Sequence, residues 1–136
     1  SVVVERVRKR SSRNISFSAT ASSLVNVRLA QFERAVSNLL DNAVKFSPVD
    51  SSIEVTVDGH EVRVVDHGPG VSDNDKPQVF TRFFRAEATR SLPGSGLGLS
   101  IVKQFTDDHG ANVEVLDTPG GGATFVLQLP TVITGH

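Results

Sequence analysis

The segment from residue 28 to residue 46 constrains the fold of this chain more than any other part of the sequence. Its apolar residues recur every three or four positions, a spacing that places them on one face of an α-helix. Ser47 and Pro48 follow directly, and the residue before a proline rarely stays helical. The sequence therefore predicts a helix over residues 28–46 with one face that must be buried. The apolar residues on that face are Leu29, Phe32, Val36, Leu39, Leu40 and Ala43.

Short segments in which apolar and polar residues alternate predict the strands of a sheet. Asp58 and Gly59 separate two of these segments. Because this dipeptide favours a tight turn, the two strands are expected to be antiparallel neighbours. The predicted strands lie at residues 15–19, 53–57, 62–65, 112–117 and 123–129.

A second helix is predicted after Gly98, as far as about His109. Leu99, Val102 and Phe105 have helical spacing there, and Gly110 suits a C-terminal cap. Helices and strands alternate irregularly along the chain, and neighbouring strands are joined by short turns. We therefore expect an α+β fold, a two-layer α/β sandwich in which helices pack on one face of a mixed, mainly antiparallel sheet.

Length and composition exclude several classes of protein. The chain has 136 residues and a mass of 14.6 kDa, which suits one domain. With 14 Lys and Arg against 15 Asp and Glu, the net charge of −1 gives no field that would attract nucleic acid or a membrane surface. The sequence has no cysteine, which excludes disulfide bonds, thiolate metal sites and a cysteine nucleophile. No apolar run approaches the roughly 18 residues that a membrane helix needs.

The chain is expected to be a piece of a longer protein, because it contains no methionine, even at position 1. Its first ten residues, SVVVERVRKR, combine an apolar run with basic residues. We interpret residues 1–13 as the end of an upstream linker or helix, residues 14–130 as the folded domain, and residues 131–136 as a C-terminal tail.

Asn38, Asn42 and Lys45 form a polar stripe on the predicted helix 28–46. At about 100° per residue, the three lie within a narrow sector opposite the apolar face. An ordinary solvated helix face would give the same pattern. However, asparagine is a poor helix former, an amide oxygen is a suitable ligand for Mg²⁺, and a nearby ammonium group can hold phosphates that share the ion. The stripe is therefore a candidate site for a metal-bound phosphate group.

The sequence Asp66-His67-Gly68-Pro69-Gly70 stands where a predicted strand ends. An ionised carboxylate there can accept a hydrogen bond from an exocyclic amine, and adjacent glycines allow a flat base to approach the backbone. A turn initiated by the aspartate is the purely structural alternative. We assign no role to His67.

The segment from Val71 to Gly96 has no sustained periodicity and contains phenylalanines at positions 80, 83 and 84. A loop of this length within a compact domain is usually functional, and we predict a lid. The lid ends in a glycine-rich sequence that runs into the second predicted helix, where free N–H groups and the helix dipole favour an anion. Neither a P-loop nor a dinucleotide-binding fingerprint fits it, and a glycine-rich hinge stays open as the alternative. The residues of this glycine-rich sequence are Gly94, Ser95, Gly96, Leu97, Gly98 and Leu99.

Four strings of the sequence resemble, in their order and spacing, the catalytic, ATP-binding domain of bacterial two-component sensor histidine kinases. They are NLLDNAVKFSP, DHGPGVSD, VFTRFFRA and GSGLGLSIVKQF. The resemblance covers residues 28–129. That family belongs to a superfamily of ATPases that also includes DNA gyrase, the MutL mismatch-repair proteins and a heat-shock chaperone. The resemblance implies the Bergerat-type ATP-binding fold and, for residues 14–130, an ATP-binding kinase domain.

The resemblance also implies a reaction and partners. Mg²⁺-ATP would be cofactor and substrate, and the γ-phosphoryl group would pass to a histidine on an upstream dimerisation and phosphoacceptor domain of the same protein. A cognate response regulator would be a further partner. The parent protein would be a homodimer in the bacterial cell membrane, with this domain in the cytoplasm.

Roles for individual residues are carried over from the same resemblance. Asn42 is the implied metal ligand. Catalytic roles at the phosphate groups are implied for Asn38, Lys45 and Arg85. Asp66 would accept from the adenine amine and Thr124 would reach the base through water, with Phe46, Gly68, Gly70 and Val71 around the ring. Phe80, Phe83 and Phe84 would anchor the lid. Gly94, Gly96 and Gly98 would wrap the triphosphate, and Ser95, Leu97 and Leu99 are placed in the same site.

The residue at position 38 separates the branches of this superfamily. Hydrolytic ATPases and serine kinases resemble one another in placing a glutamate there as general base, whereas this chain has Asn38. An amide cannot take the proton, but a histidine acceptor already carries a lone pair near neutral pH. We therefore favour transfer to histidine, with a hydrolytic ATPase or serine kinase of the same fold, or a nucleotide-binding module without chemistry, as the alternatives.

The histidines of the chain do not match the acceptor of the family. They stand at positions 60, 67, 109 and 136, and none of them is predicted to lie on an upstream helix. The chain is therefore expected to bind ATP without containing its own acceptor.

Overall fold

A computed structural model of the chain describes residues 2–11, 14–22, 28–81 and 98–130. These residues form α-helices that pack on a five-stranded sheet. In chain order the elements are α1 (Val2–Ser11), β1 (Ile15–Ser22), α2 (Leu29–Phe46), β2 (Ile53–Gly59), β3 (Glu61–Val65), a short 3-10 helix (Lys76–Gln78), α3 (Gly98–His109), β4 (Asn112–Asp117) and β5 (Ala123–Gln128). The predicted α+β class and the order of the predicted elements are confirmed.

The sheet has the strand order β1-β2-β3-β5-β4. β1 pairs with β2 in parallel, and the remaining neighbours are antiparallel, so the prediction of a mixed, mainly antiparallel sheet is confirmed. β3 pairs with β5 rather than with β4, and Val65 lies opposite Thr124 in this pairing. The residue after β3, Asp66, is thereby placed beside the start of β5.

The helices bury their apolar faces against one face of this sheet. Leu39 and Leu40 of α2 are fully buried, and Val102 and Phe105 of α3 belong to the same core. The rings of Phe32 and Phe105 join the two helices, with their centroids 6.2 Å apart. The predicted buried face of α2 is therefore confirmed at its centre.

The prediction is wrong for Leu29, whose side chain is 69% exposed. Phe32 is only partly buried, and Ala35 is the first fully buried residue of α2. The first turn of the helix therefore extends past the part of the core that covers its apolar face.

α1 packs against α2 and contributes to the same core. Val3, Val4 and Val7 are all buried, and the guanidinium group of Arg8 donates two hydrogen bonds to the carbonyl oxygen of Ile15, at 2.8 and 2.6 Å. The boundary at residue 13 stays a prediction. The predicted lid is described only as far as Thr81, and the tail at 131–136 lies outside the described residues. No helix among the described residues is long and apolar enough to cross a membrane.

Candidate functional site

Asp66 is the buried carboxylate at the end of β3, with only 3% of its surface exposed. Its Oδ1 accepts hydrogen bonds from the backbone N–H groups of Gly68 and Ala123, both at 3.0 Å. Its own N–H donates to the carbonyl oxygen of Ala123 at 2.9 Å. Both of these side-chain hydrogen bonds end on Oδ1, and no described residue donates to Oδ2, so this oxygen is available as an acceptor. The side chain is thus fixed at one oxygen and presents the other.

The pKa of Asp66 reflects two opposing effects. Burial removes the carboxylate from water and raises its pKa. The two backbone N–H groups and the nearby His67 stabilise the charged form and oppose this rise, but burial is the larger effect. Asp66 therefore ionises at a higher pH than an ordinary aspartate.

Glycines around Asp66 bring three backbone segments into contact. A Cβ at Gly68 would lie 2.4 Å from the carbonyl oxygen of Phe46, at the end of α2. A Cβ at Gly70 would lie 3.1 Å from the carbonyl oxygen of Gly122. A Cβ at Gly122 would lie 2.1 Å from the carbonyl oxygen of Asp66. The loop after β3 is thus held between the end of α2 and the β4–β5 turn, at distances that admit no side chain at Gly68 or Gly122.

Thr124 lies beside this loop because it pairs with Val65. It is buried, and its hydroxyl group forms a 2.9 Å hydrogen bond with the hydroxyl group of Thr118. Thr118 in turn donates its backbone N–H to the carbonyl oxygen of Gly122 at 3.0 Å. The threonine pair therefore orders the turn that carries Gly122 against Asp66.

The polar stripe of α2 is partly buried. Asn38 and Asn42 are half-buried, whereas Lys45 is exposed. The side-chain amide of Asn38 donates to the carbonyl oxygen of Arg34 at 2.9 Å. Its Oδ1 would lie 3.6 Å from a Cβ at Gly98, the first residue of α3. The amide oxygen of Asn38 therefore faces the N-terminus of α3.

Lys45 and Phe46 lie at the C-terminal end of the same helix. The ammonium nitrogen of Lys45 is 5.3 Å from the centroid of the Phe46 ring, within the range of a cation–π contact. The carbonyl oxygen of Phe46 contacts Gly68, as described above. Phe46 therefore connects the polar stripe with the loop of Asp66.

A cleft of about 460 Å³ continues from the polar stripe toward α1. It lies between α1, α2 and α3. Its lining residues are Arg6, Ala30, Glu33, Arg34, Ser37, Asn38 and Ile101.

The described part of the predicted lid is attached to the core by its apolar residues. Val79 is buried, and Val71 and Phe80 pack against the core. The ring of Phe80 meets that of Phe125 edge to face, with centroids 6.1 Å apart. Phe80 thus anchors the chain just before the described region ends.

Several predicted site residues lie outside the described residues. They are Arg85, Gly94, Ser95, Gly96 and Leu97. Gly98 and Leu99 are described and form the start of α3, where both are half-buried.

The residues from other elements that hold Asp66 and His67 in place are not among the predicted site residues. Ala123 bonds Asp66 although it lies 57 positions further along the chain. Ser47 accepts a hydrogen bond from the backbone N–H of His67 at 3.3 Å, and Glu54 lies 2.8 Å from the His67 ring nitrogen Nε2. No local pattern marks these partners, because each belongs to a different element. The run of three glycines before Ala123 is a local signal of a turn, and it does not indicate which segment the turn contacts.

The sequence from residue 28 to residue 133 matches the family of histidine kinase-, DNA gyrase B- and HSP90-like ATPases. The chain belongs to this family. It corresponds to the catalytic, ATP-binding domain of a sensor histidine kinase, as the four strings predict. Domains of this family bind ATP.

Relatives of known sequence support this membership. The signal transduction histidine-protein kinase/phosphatase MprB of Mycobacterium avium is 46% identical over 110 residues, which cover 74% of this chain and 21% of that protein. MprB of Mycolicibacterium vanbaalenii is 41% identical over 139 residues, which cover 98% of this chain and 28% of that protein. This chain thus spans about a quarter of the length of these relatives.

Solved structures share the fold of the family domain. A mycobacterial sensor histidine kinase MprB superposes with a TM-score of 0.81 at 37% identity, over 98% of this chain and 93% of that one. Full-length ShkA, solved in complex with AMPPNP, gives a TM-score of 0.75 at 28% identity, over 99% of this chain and 30% of that one. The ATP-binding domain of PrrB from Mycobacterium tuberculosis gives 0.70 at 25% identity, over 96% of this chain and 89% of that one.

Proposed function

We propose that this domain binds Mg²⁺-ATP and transfers the γ-phosphoryl group to a histidine on a separate dimerisation domain of the same parent protein. The observation that carries the proposal is the geometry of Asp66. A buried carboxylate with one oxygen fixed by two backbone N–H groups and the other available suits recognition of an exocyclic amine.

At the base end of the proposed site, Oδ2 of Asp66 accepts from the adenine amine. Thr124 contributes a hydroxyl group that reaches the base through water, which its position beside Val65 supports. Gly68, Gly70 and Val71 surround the ring on the side of the loop, and Phe46 flanks it at the end of α2.

At the phosphate end, the amide oxygens of α2 fit a hard cation. The described residues contain no group of three or more His, Asp or Glu that would hold a metal ion, and an amide oxygen paired with phosphate oxygens is a suitable ligand set for Mg²⁺. We assign the ion to Asn42, with Asn38 one turn earlier. When bound, Mg²⁺ neutralises charge on the phosphate groups. Lys45 contacts phosphate, and the N-terminus of α3 at Gly98 supplies the backbone N–H groups and helix dipole that favour an anion.

The proposed chemistry is positioning and charge neutralisation, since a loose phosphoryl-transfer transition state needs little else. Asn38 supports transfer to histidine over hydrolysis, because its amide group cannot accept a proton from an attacking water molecule. A neutral imidazole acceptor needs no such base. Arg85 and the residues from Gly94 to Leu97 keep their predicted roles at the phosphates.

The whole protein is proposed to act in two-component signal transduction. Its other parts would include the dimerisation domain with the acceptor histidine, and its partner would be a cognate response regulator. We place the parent protein, as a homodimer, in the bacterial cell membrane and this domain in the cytoplasm. The names of the mycobacterial relatives, which are signal transduction kinase/phosphatases, support this assignment.

Replacing Asn42 with alanine is expected to weaken Mg²⁺-ATP binding about tenfold or more, because a ligand of a charged centre is lost. Binding of adenosine without metal is expected to stay unchanged. Calorimetric titration of both ligands measures the difference. Asn112→Ala, at an exposed asparagine of β4, is the control and should match the wild type. Equal losses for Mg²⁺-ATP and adenosine would remove Asn42 from the metal site.

The isolated domain is expected to bind Mg²⁺-ATP without taking up stable phosphate, since none of its histidines serves as the acceptor. Adding the dimerisation domain as a separate polypeptide should restore transfer, more slowly than in the intact protein because the effective concentration of the tethered acceptor is lost. Labelled ATP, with phosphorylated histidine followed on gels, measures both steps. Rapid conversion of ATP to ADP by the domain alone would instead support the hydrolytic alternative.

A further inference from the structure

Lys76 contacts acidic side chains from two different parts of the chain. Its ammonium nitrogen lies 2.9 Å from Oδ1 of Asp117, the last residue of β4, and 2.5 Å from Oδ1 of Asp73 in its own turn. The Lys76 side chain is only 20% exposed, whereas those of Asp73 and Asp117 are 92% and 73% exposed. The lysine is therefore the covered member of the cluster.

Asp117 is connected through Ala123 to the carboxylate at the end of β3. It lies opposite Ala123 in the pairing of β4 with β5. Ala123 exchanges two hydrogen bonds with Asp66, one to the carboxylate and one between backbone groups. From Asp66 the chain runs through the glycine loop to Lys76. The loop of residues 66–76 is therefore joined to the β4–β5 hairpin at both ends. Asp66 contacts Ala123 at one end, and Lys76 contacts Asp117 at the other.

Backbone hydrogen bonds order the turn that carries Lys76. The backbone N–H groups of Asp75 and Lys76 both donate to the carbonyl oxygen of Ser72, at 3.0 Å each, and a short 3-10 helix follows. These bonds shape the turn without reaching the β4–β5 hairpin. The contact with Asp117 attaches the turn to that hairpin.

We propose that Lys76 is a positioning residue for the base pocket, which through Asp117 holds the loop of residues 66–76 against the β4–β5 hairpin and so keeps Asp66 in its recognition geometry. This inference rests on the proposed function, because it requires Asp66 to bind the base.

The charge of the cluster supports this role. Hydrogen bonds from the ammonium group to Asp73 and Asp117 raise the pKa of Lys76. The hydrogen bond from Lys76 also lowers the pKa of Asp73. The lysine therefore keeps its charge. Exposed ion pairs contribute little to the stability of a whole domain, so the expected effect is on ligand affinity rather than on folding.

The two aspartates provide a matched experiment. Asp117→Asn and Asp73→Asn each neutralise one partner of Lys76, but only Asp117 connects it to the hairpin. NMR titration of the whole chain with adenosine should show about two- to fivefold weaker binding for Asp117→Asn and for Lys76→Met. Asp73→Asn should bind like the wild type, and Lys76→Arg should retain most of the affinity.

Salt dependence separates this role from a merely structural one. Adenosine is uncharged, so raising NaCl from about 0.05 to about 0.5 M should weaken its binding to the wild type by screening the ion pair. The salt effect should disappear in Lys76→Met. Unfolding curves of all variants should coincide with that of the wild type, because exposed ion pairs contribute little to the stability of the fold.

Two outcomes would overturn the inference. One is an equal loss of affinity for Asp73→Asn and Asp117→Asn, and the other is unchanged binding by Lys76→Met. Asp66→Asn, titrated in parallel, separates this failure from a failure of the proposed function. If Asp66→Asn loses adenosine while Lys76→Met does not, only the role of Lys76 is wrong. If Asp66→Asn binds adenosine as the wild type does, the base pocket itself is wrongly assigned, and the role of Lys76 fails with it.

Discussion

Gly122→Ala is expected to lower the free energy of unfolding by about 3 kcal/mol or more. Gly122 has φ +117 and is buried. An added Cβ would lie 2.1 Å from the carbonyl oxygen of Asp66 and 2.8 Å from the Cα atom of His67. Backbone atoms cannot move aside as a flexible side chain can, so the β4–β5 turn must separate from the loop after β3.

Gly121→Ala is the matched control for this change. Gly121 has the same φ of +117, but an added Cβ would meet nothing within 4 Å. It therefore carries the backbone strain, about 1–3 kcal/mol, without the collision. Urea unfolding of both variants measures the difference. Equal destabilisation would show that the close contact between Gly122 and Asp66 does not contribute to the stability of the fold.

Asp66→Asn is expected to weaken binding of ATP about 10- to 100-fold, because a hydrogen bond to a charged group contributes about 1.5–3 kcal/mol. The amide oxygen still accepts from Gly68 and Ala123, but the amide nitrogen presents a donor where the adenine amine also donates. Preference for ATP over GTP should fall as well. Competition titrations with both nucleotides measure these effects, and Asp58→Asn, at an exposed position, is the control. An unchanged preference for ATP would contradict the assignment of Asp66.

Through Asp66, folding stability and ATP binding should depend on pH in opposite directions. Because burial raises the pKa of Asp66, the native state holds this proton up to a higher pH than the unfolded chain does. The contribution of Asp66 to stability is therefore present below its unfolded pKa and is lost as the pH rises through its folded pKa. ATP affinity follows the ionised form and falls as the pH drops through the same folded pKa. Asp66→Asn should remove both dependences, and parallel pH profiles for the two proteins would contradict this.

Local patterns in the sequence were sufficient for the elements and for the chemistry of single motifs. The helical spacing in α2, the turn at Asp58-Gly59 and the cap at Gly110, which has φ +65, all depend on neighbouring residues. Asp66 was also found in this way, since a carboxylate followed by glycines at the end of a strand is a local signal. The joint order of four motifs then led to the family.

Leu29 shows the limit of periodicity. It has the correct spacing for the apolar face of α2, yet burial begins only at Ala35. Periodicity fixes which face of a helix is apolar. It does not fix how far the rest of the protein extends along that face, because this depends on the length and position of the elements that cover it.

Sequence patterns alone were enough to predict the elements and the family, and to select Asp66 as the candidate carboxylate. The partners of that carboxylate depend on the tertiary structure, because on this side of the sheet β3 pairs with β5 and not with β4, the next strand along the chain. This pairing places Ala123 and Gly122 against Asp66, and it brings Asp117 within reach of Lys76. Strand order follows from how all the apolar faces are buried together, so no single segment of the sequence contains it.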